Sequence, residues 1–346
     1  RPYRLKTLLL QRNVSTDIFE SLLLDGARVV TPIRRRSFEF DGKDQRSSCT
    51  RASRVYYITS KMAASMVVDK CMKAYNYVFN PSLLKGQVAF ITGGGSGICF
   101  TIAEVLMRHQ CSTVIASRNI ERVQQAAKEL SRATGQKCLP IQMDVRKPNE
   151  VVAGVQQAMR EFGKINVLVN GAAGNFVCPA ASMSFNAFKT VLDIDTIGTF
   201  NTSKAVFDEY MRDNGGTIIN ITATLPYRGT VFQCHASAAK AAIDSMTRSL
   251  AVEWGALGIR VVGIAPGPID ETEGMRKLAG PLITEIPKRI PLRRLGTKVD
   301  IADCAVFVAS PAASYITGHT IVVDGGDWMT SPNDAEMRLE SLKSLL

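Results

Sequence analysis

Apolar residues fall into short unbroken runs, separated by longer stretches in which they recur every three or four positions. Val88–Ile91 is the first run, and it ends in Thr92 and a cluster of glycines. Behind it, Ile102, Val105 and Leu106 share one helical face. Further runs at Thr113–Ala116, Cys138–Met143, Ile165–Val169, Thr217–Ile221, Ile259–Ala265 and Thr320–Val323 predict strands. The spacing between them predicts helices ending near Leu130, Phe162 and Trp254, with two more helical stretches after Val169. The helix to Trp254 carries Ile243, Met246, Leu250 and Trp254 along one side. Runs apolar throughout, rather than alternating, belong to parallel strands covered on both faces. Strand alternating with helix therefore predicts a single α/β domain: a doubly wound parallel seven-stranded sheet with helices on both faces.

Composition narrows the function without naming it. The 346 residues are 46% hydrophobic and 21% charged, which excludes a disordered chain, a collagen and a coiled-coil rod. The longest charge-free run, Ile165–Phe188, is broken by Gly, Pro and Asn, so no membrane span is expected. Eight scattered cysteines show no C-x-x-C, and the three histidines show no ligand spacing. No metal site and a reducing compartment follow as expectations. The net charge of +11 is uneven: residues 1–61 hold 13 Lys/Arg against 6 Asp/Glu, and residues 62–346 hold 29 against 25. With the excess at one end, no nucleic-acid partner is expected. The chain divides into an extension at 1–61, disordered or outside the mature protein, and a lead-in at 62–83. A nucleotide-binding domain at 84–330 and a tail at 331–346 complete it. Met62-Ala-Ala-Ser-Met reads as an ordinary start, and six acidic residues set the extension apart from a mitochondrial presequence.

Strand, glycine turn and helix in succession form an anion-binding device, since N–H groups at a helix start face a pyrophosphate. Gly93, Gly94, Gly95, Ser96, Gly97 and Ile98 occupy that turn, and make the sheet Rossmann-type. Their spacing is not G-x-G-x-x-G. The second strand ends at Ser117-Arg118 without the carboxylate that would take a 2′-hydroxyl. Arg118, with Arg122 one turn on, can instead pair with a 2′-phosphate, which points to NADPH.

Thr92-Gly-Gly-Gly-Ser-Gly-Ile98, Met143-Asp-Val145, Asn170-Gly-Ala-Ala-Gly174, Lys240 in a long helix, Pro266-Gly-Pro-Ile269 and Val323-Asp-Gly-Gly326 occur in this order. Together they resemble the short-chain dehydrogenase/reductase family over about residues 84–330. The resemblance implies that Asp144 meets the adenine, that Asn170 lies along the cofactor and that Lys240 bonds the nicotinamide ribose. It also implies that Pro266, Gly267, Pro268, Ile269 and Thr272 hold the carboxamide and diphosphate end. The chain departs from the family where its catalytic Tyr would be, which is Ala236, and its Ser would fall at Ala223 or Thr224. The loop's last glycine is Cys99, read as a tolerated small residue.

These departures, with Ala173-Gly-Asn-Phe176, Ser184-Phe-Asn-Ala-Phe188, Asp193-Ile-Asp195 and Glu273-Gly274, resemble the branch of the family that reduces 2,4-dienoyl-CoA esters in peroxisomes. There an Asp and a Lys replace the missing pair, and they map onto Asp195 and Lys240. The acyl-CoA contacts it implies are Arg118, Arg146, Phe176, Ser184, Phe185, Asn186 and Lys277. A homodimer or homotetramer through the helices carrying Asp195 and Lys240 is implied too. Asp195 also reads as a helix N-cap before Thr196, and His235 as a structural histidine. The final Ser344-Leu345-Leu346 lacks the basic middle of a Ser-Lys-Leu address, so the peroxisome is implied mainly by the resemblance. Two alternatives stand beside the reductase: a catalytically silent NADP(H)-binding protein, and a reductase of a non-CoA enone.

Overall fold

The computed structural model describes residues 70–279 and 284–330. The extension at 1–61 and the tail at 331–346 lie outside the described residues. The described residues form seven strands: β1 Val88–Thr92, β2 Ser112–Ser117, β3 Cys138–Gln142, β4 Val167–Asn170, β5 Gly216–Ile221, β6 Ile259–Pro266 and β7 Thr320–Val323. They form one sheet in the order β3-β2-β1-β4-β5-β6-β7, and every pairing is parallel. The predicted architecture is therefore observed, with β4 shifted by one or two residues from the predicted Ile165–Val169.

Successive strand residues point to opposite faces, and each face is sealed by helices. On one face Ala89 and Ile91 of β1 join α1 (Gly97–Arg108), α2 (Ile120–Thr134) and α8 (Lys298–Ala309) in one apolar core. On the other, Phe90 joins α3 (Pro148–Phe162), α5 (Gly198–Val206) and α6 (Cys234–Trp254). Phe90 and Ile91 are both fully buried, each contributing about 1.5–3 kcal/mol. Local signals bound these helices. Asn119 caps α2 by accepting from Arg122 N, and Gly135 ends it at φ +72°. Pro148 opens α3, and Thr297 with Asp300 forms a capping box on α8.

One helical rod departs from regularity. Helix α4 (Phe185–Leu192) runs into α5 through a π turn at Asp193–Ile197, which inserts an extra residue and re-aims its side chains.

The described part of the lead-in is bound to the domain. Met72 N donates to Glu104 Oε1 at 2.9 Å, and Arg108 Nη2 bonds both Glu104 Oε1 and Met72 O at 2.8 Å. Tyr75 OH donates to Asp303 Oδ1 on α8 at 2.7 Å. His109, at the end of α1, lies edge-on to the rings of Tyr75, Tyr77 and Phe79. The packed body thus begins before the predicted boundary at residue 84. Two measurements check this clasp. Tyr75→Phe leaves Asp303 without its donor and is expected to cost about 1–2 kcal/mol in urea unfolding. A chain beginning at Asn80 is expected to melt below one beginning at Met62.

Candidate active site

All seven strands point the same way, so their carboxyl ends open on one edge. The order reverses between β1 and β4, and such a crevice is where doubly wound sheets bind ligands. The glycine turn leaves β1 there. Gly93 takes φ +72° and passes so close to Gly171 that a side chain would meet its carbonyl oxygen at 2.8 Å. Thr92 Oγ1 accepts from Gly171 N and Ala172 N at 3.0 and 3.1 Å, tying this turn to the loop after β4. Helix α1 begins behind the turn with no acid in its first turn and no side-chain cap from Ser96. That donor-rich, carboxylate-free helix start fits a pyrophosphate.

The remaining cofactor candidates line the same edge. Arg118 is exposed at the end of β2, and Arg122 lays its stem beneath Gly95. Asp144 is gripped by Arg146, with Nε at 3.0 and 3.1 Å from its two oxygens and Nη2 at 2.5 Å. The Arg146 guanidinium holds the Asp144 carboxyl below the usual carboxylate range. Asn170 donates through Nδ2 to Ser203 Oγ and Asn220 Oδ1, both at 2.9 Å. Past β6, Gly267 packs on Asp324, and Thr272 Oγ1 bonds Ile269 O at 2.8 Å. Thr272 precedes α7 (Glu273–Ala279); Lys277 lies on α7, its side chain outside the described set.

Asp195 and Lys240 meet at the centre. The π turn drives Asp195 inward until it is 1% exposed. Its Oδ1 accepts from Gly174 N at 2.6 Å, and its Oδ2 lies 3.1 Å from Lys240 Nζ. Lys240, on α6, also donates to Ile221 O at the end of β5, at 3.0 Å. The N-cap reading of Asp195 is thereby corrected: it sits inside a continuous helix, and the N–H that it bonds belongs to the loop after β4. Ala236 is buried one turn before Lys240.

The proposed acyl-CoA positions differ in exposure and in their partners. Phe176 stacks on His235 at 4.2 Å. Ser184 caps α4 by accepting from Ala187 N at 3.1 Å, and Phe185 beside it is 97% exposed. Asn186 is exposed as well. Arg146, by contrast, is committed to Asp144.

Among the described residues, buried polar atoms without a hydrogen-bond partner gather here: Asn170 Oδ1, Asp195 Oδ2, Thr222 Oγ1, both ring nitrogens of His235 and Ser237 Oγ. Such groups are costly inside a protein, and several together mark a place built for ligand or water. Cys99 has the opposite character. Burial pushes its thiol up to about 12, so it is inert packing. It has room because residue 171 is glycine: a Cβ there would overlap the Cys99 sulfur.

Comparison with known proteins gives concordant results. Residues 93–327 match the family described as enoyl-(acyl carrier protein) reductase. A peroxisomal 2,4-dienoyl-CoA reductase, (3E)-enoyl-CoA-producing, from Danio rerio is 54% identical over 289 residues, 83% of this chain and 96% of its own. Its counterpart from Rattus norvegicus is 58% identical over 274 residues, 79% of this chain and 94% of its own. Among solved structures, a short chain dehydrogenase from Bacillus anthracis is 38% identical with a TM-score of 0.67, covering 72% of this chain and 99% of that one.

Cys99 and Gly171 generate a double-mutant test. Gly171→Ala alone is expected to lower stability by about 1–3 kcal/mol through overpacking. Adding Cys99→Ala is expected to restore much of it, with a coupling of about 1 kcal/mol or more in chemical denaturation.

Proposed function

The chain belongs to the short-chain dehydrogenase/reductase family, and from that premise we infer that it reduces 2,4-dienoyl-CoA to 3-enoyl-CoA in the peroxisome, during breakdown of unsaturated fatty acids. It is an oxidoreductase using a nicotinamide cofactor, and NADPH is the form proposed. The observation that carries the reading is the buried Asp195–Lys240 pair in a chain with alanine at the Tyr position.

The nicotinamide, when bound, supplies hydride to the far alkene carbon of the diene. Electrons then shift toward the thioester oxygen as a dienolate. The product keeps its double bond one position in, so the proton goes to the carbon beside the thioester. No alcohol forms, and no phenol is required to exchange a proton with oxygen. Asp195 holds the water that gives this proton. Lys240, positioned by Asp195 and Ile221 O, has a third N–H direction for the ribose, and its charge favours the dienolate. Each well-aimed donor on the thioester oxygen would add about 3 kcal/mol of transition-state stabilisation.

Gly93–Ile98 and α1 take the pyrophosphate, with Asp144, Asn170 and Pro266–Thr272 along the cofactor. Arg118 and Arg122 take the 2′-phosphate. Phe176 and Ser184–Asn186 form the acyl-CoA rim, with Arg118 and Lys277 toward its phosphates and Arg146 reaching them only with the N–H groups that Asp144 leaves over. Ile197 and Phe200 on the α4–α5 rod and Val252 on α6 leave apolar surface exposed, the last at 84%. That surface supports a homo-oligomer paired through these helices.

NADPH oxidation with 2,4-hexadienoyl-CoA tests the reading directly. Asp195→Asn is expected to lower turnover by about 10²–10⁴-fold with NADPH binding nearly intact. Lys240→Ala is expected to weaken both. Arg118→Ala is expected to erase most of a preference for NADPH over NADH of about ten- to a hundredfold, measured by cofactor titration. Failure of the unmutated, cofactor-bound protein to turn over the dienoyl-CoA would favour the silent cofactor-binding protein or a different enone.

A further inference from the structure

We propose that His235 is a positioning residue of the reductase, holding with Asp195 the water that protonates the substrate carbon. The role rests on the reductase reading above and extends it to a residue outside the Asp–Lys pair.

His235 sits in the first turn of α6, one residue before Ala236 and five before Lys240. Its side chain is completely buried; the Phe176 backbone lies beside the ring without a well-formed hydrogen bond, and no other partner meets either nitrogen. What fixes the ring is the face of Phe176, 4.2 Å away and tilted by 30°. A structural histidine in a core ordinarily spends its nitrogens on neighbours. This one is held by the Phe176 ring and backbone, and at least one nitrogen is left for something else. Burial lowers its proton affinity, outweighing the Phe176 backbone and the Asp195 charge that oppose it, so the ring stays neutral with one donor and one acceptor.

The chemistry calls for such a group. Asp195 Oδ1 is taken by Gly174 N, while Oδ2 has an ionic neighbour but no hydrogen bond. A bound water needs two to four polar partners. Asp195 Oδ2 would supply one acceptor, and His235, whose ring feels the Asp195 charge, would supply a second contact. As the water protonates carbon, one O–H bond breaks, and the dienolate electron pair forms the new C–H bond. Hydroxide remains until solvent reprotonates it. A carboxylate repels that developing charge. A neutral N–H donor steadies it without competing with Lys240 for Asp195.

Two substitutions separate this role from packing. His235→Phe keeps the stack on Phe176 but removes both nitrogens, and His235→Asn restores a donor. With NADPH and 2,4-hexadienoyl-CoA, His235→Phe is expected to lose about ten- to a hundredfold in kcat, below the upper range for a direct acid–base group. KM, NADPH affinity and melting temperature are expected to stay close to those of the unmutated protein, and the solvent isotope effect on kcat to rise. His235→Asn is expected to recover a large part of the loss. Full kcat in His235→Phe overturns the proposal. So does a loss matched by melting temperature or NADPH affinity, or a His235→Asn no better than His235→Phe. Normal turnover in the unmutated protein alongside any of these leaves the reductase reading standing. Absence of turnover there overturns that reading and this role with it.

Discussion

A carboxylate buried in a protein core costs several kcal/mol unless its charge is matched and its lone pairs are used. Asp195 has its charge matched by Lys240 and one oxygen satisfied by the Gly174 backbone, two partners from different parts of the chain. Three elements are thereby joined: the π turn in the α4–α5 rod, the loop after β4, and α6. Lys240 extends the chain of contacts to the end of β5. The centre of the site is thus held by one ion pair and its hydrogen bonds, on a sheet whose strands all deliver their ends to the same edge. Removing either partner would strand the other, which makes the pair a structural keystone as well as a chemical one.

The sheet and the glycine turn were legible in the sequence for physical reasons, whereas Asp195 and Lys240 came together only through the resemblance to the family. Parallel strands covered on both faces must be apolar throughout, and Val88–Ile91 or Val261–Ala265 can hardly be anything else. A turn hugging a pyrophosphate needs glycines where β1 meets α1. Other features have no such signature. A π turn adds one residue to a helix without changing its composition, so Asp195 reads as an N-cap until the backbone is seen. The lead-in from Cys71 to Phe79 is too short and aperiodic to suggest an element. Its attachment depends on Tyr75 reaching Asp303, 228 positions away. Arg146 reads as a surface charge for a phosphate, while its nearest opposite charge is two residues back at Asp144.

The electrostatics of the site are divided between committed and uncommitted groups. Arg146 is engaged with Asp144 and belongs to the frame. Arg118 and the exposed turn of α4 face outward at the rim. Between them lies a shell of buried atoms with unused hydrogen-bonding capacity, from Asn170 Oδ1 to Ser237 Oγ. A rigid scaffold surrounding unused polar capacity suits a reaction in which charge appears, spreads and disappears on the substrate within one turnover.

The close fit of Cys99 against Gly171 bears on the history of the chain. The two positions share one volume, so a side chain at one restricts the other. A lineage could acquire cysteine at 99 only after glycine stood at 171, because the opposite order passes through an overfilled intermediate. Reversion is constrained in the same way: a larger residue can return to 171 only once the sulfur has gone. Each of the two residues sets which residues the other position can accept, and in what order.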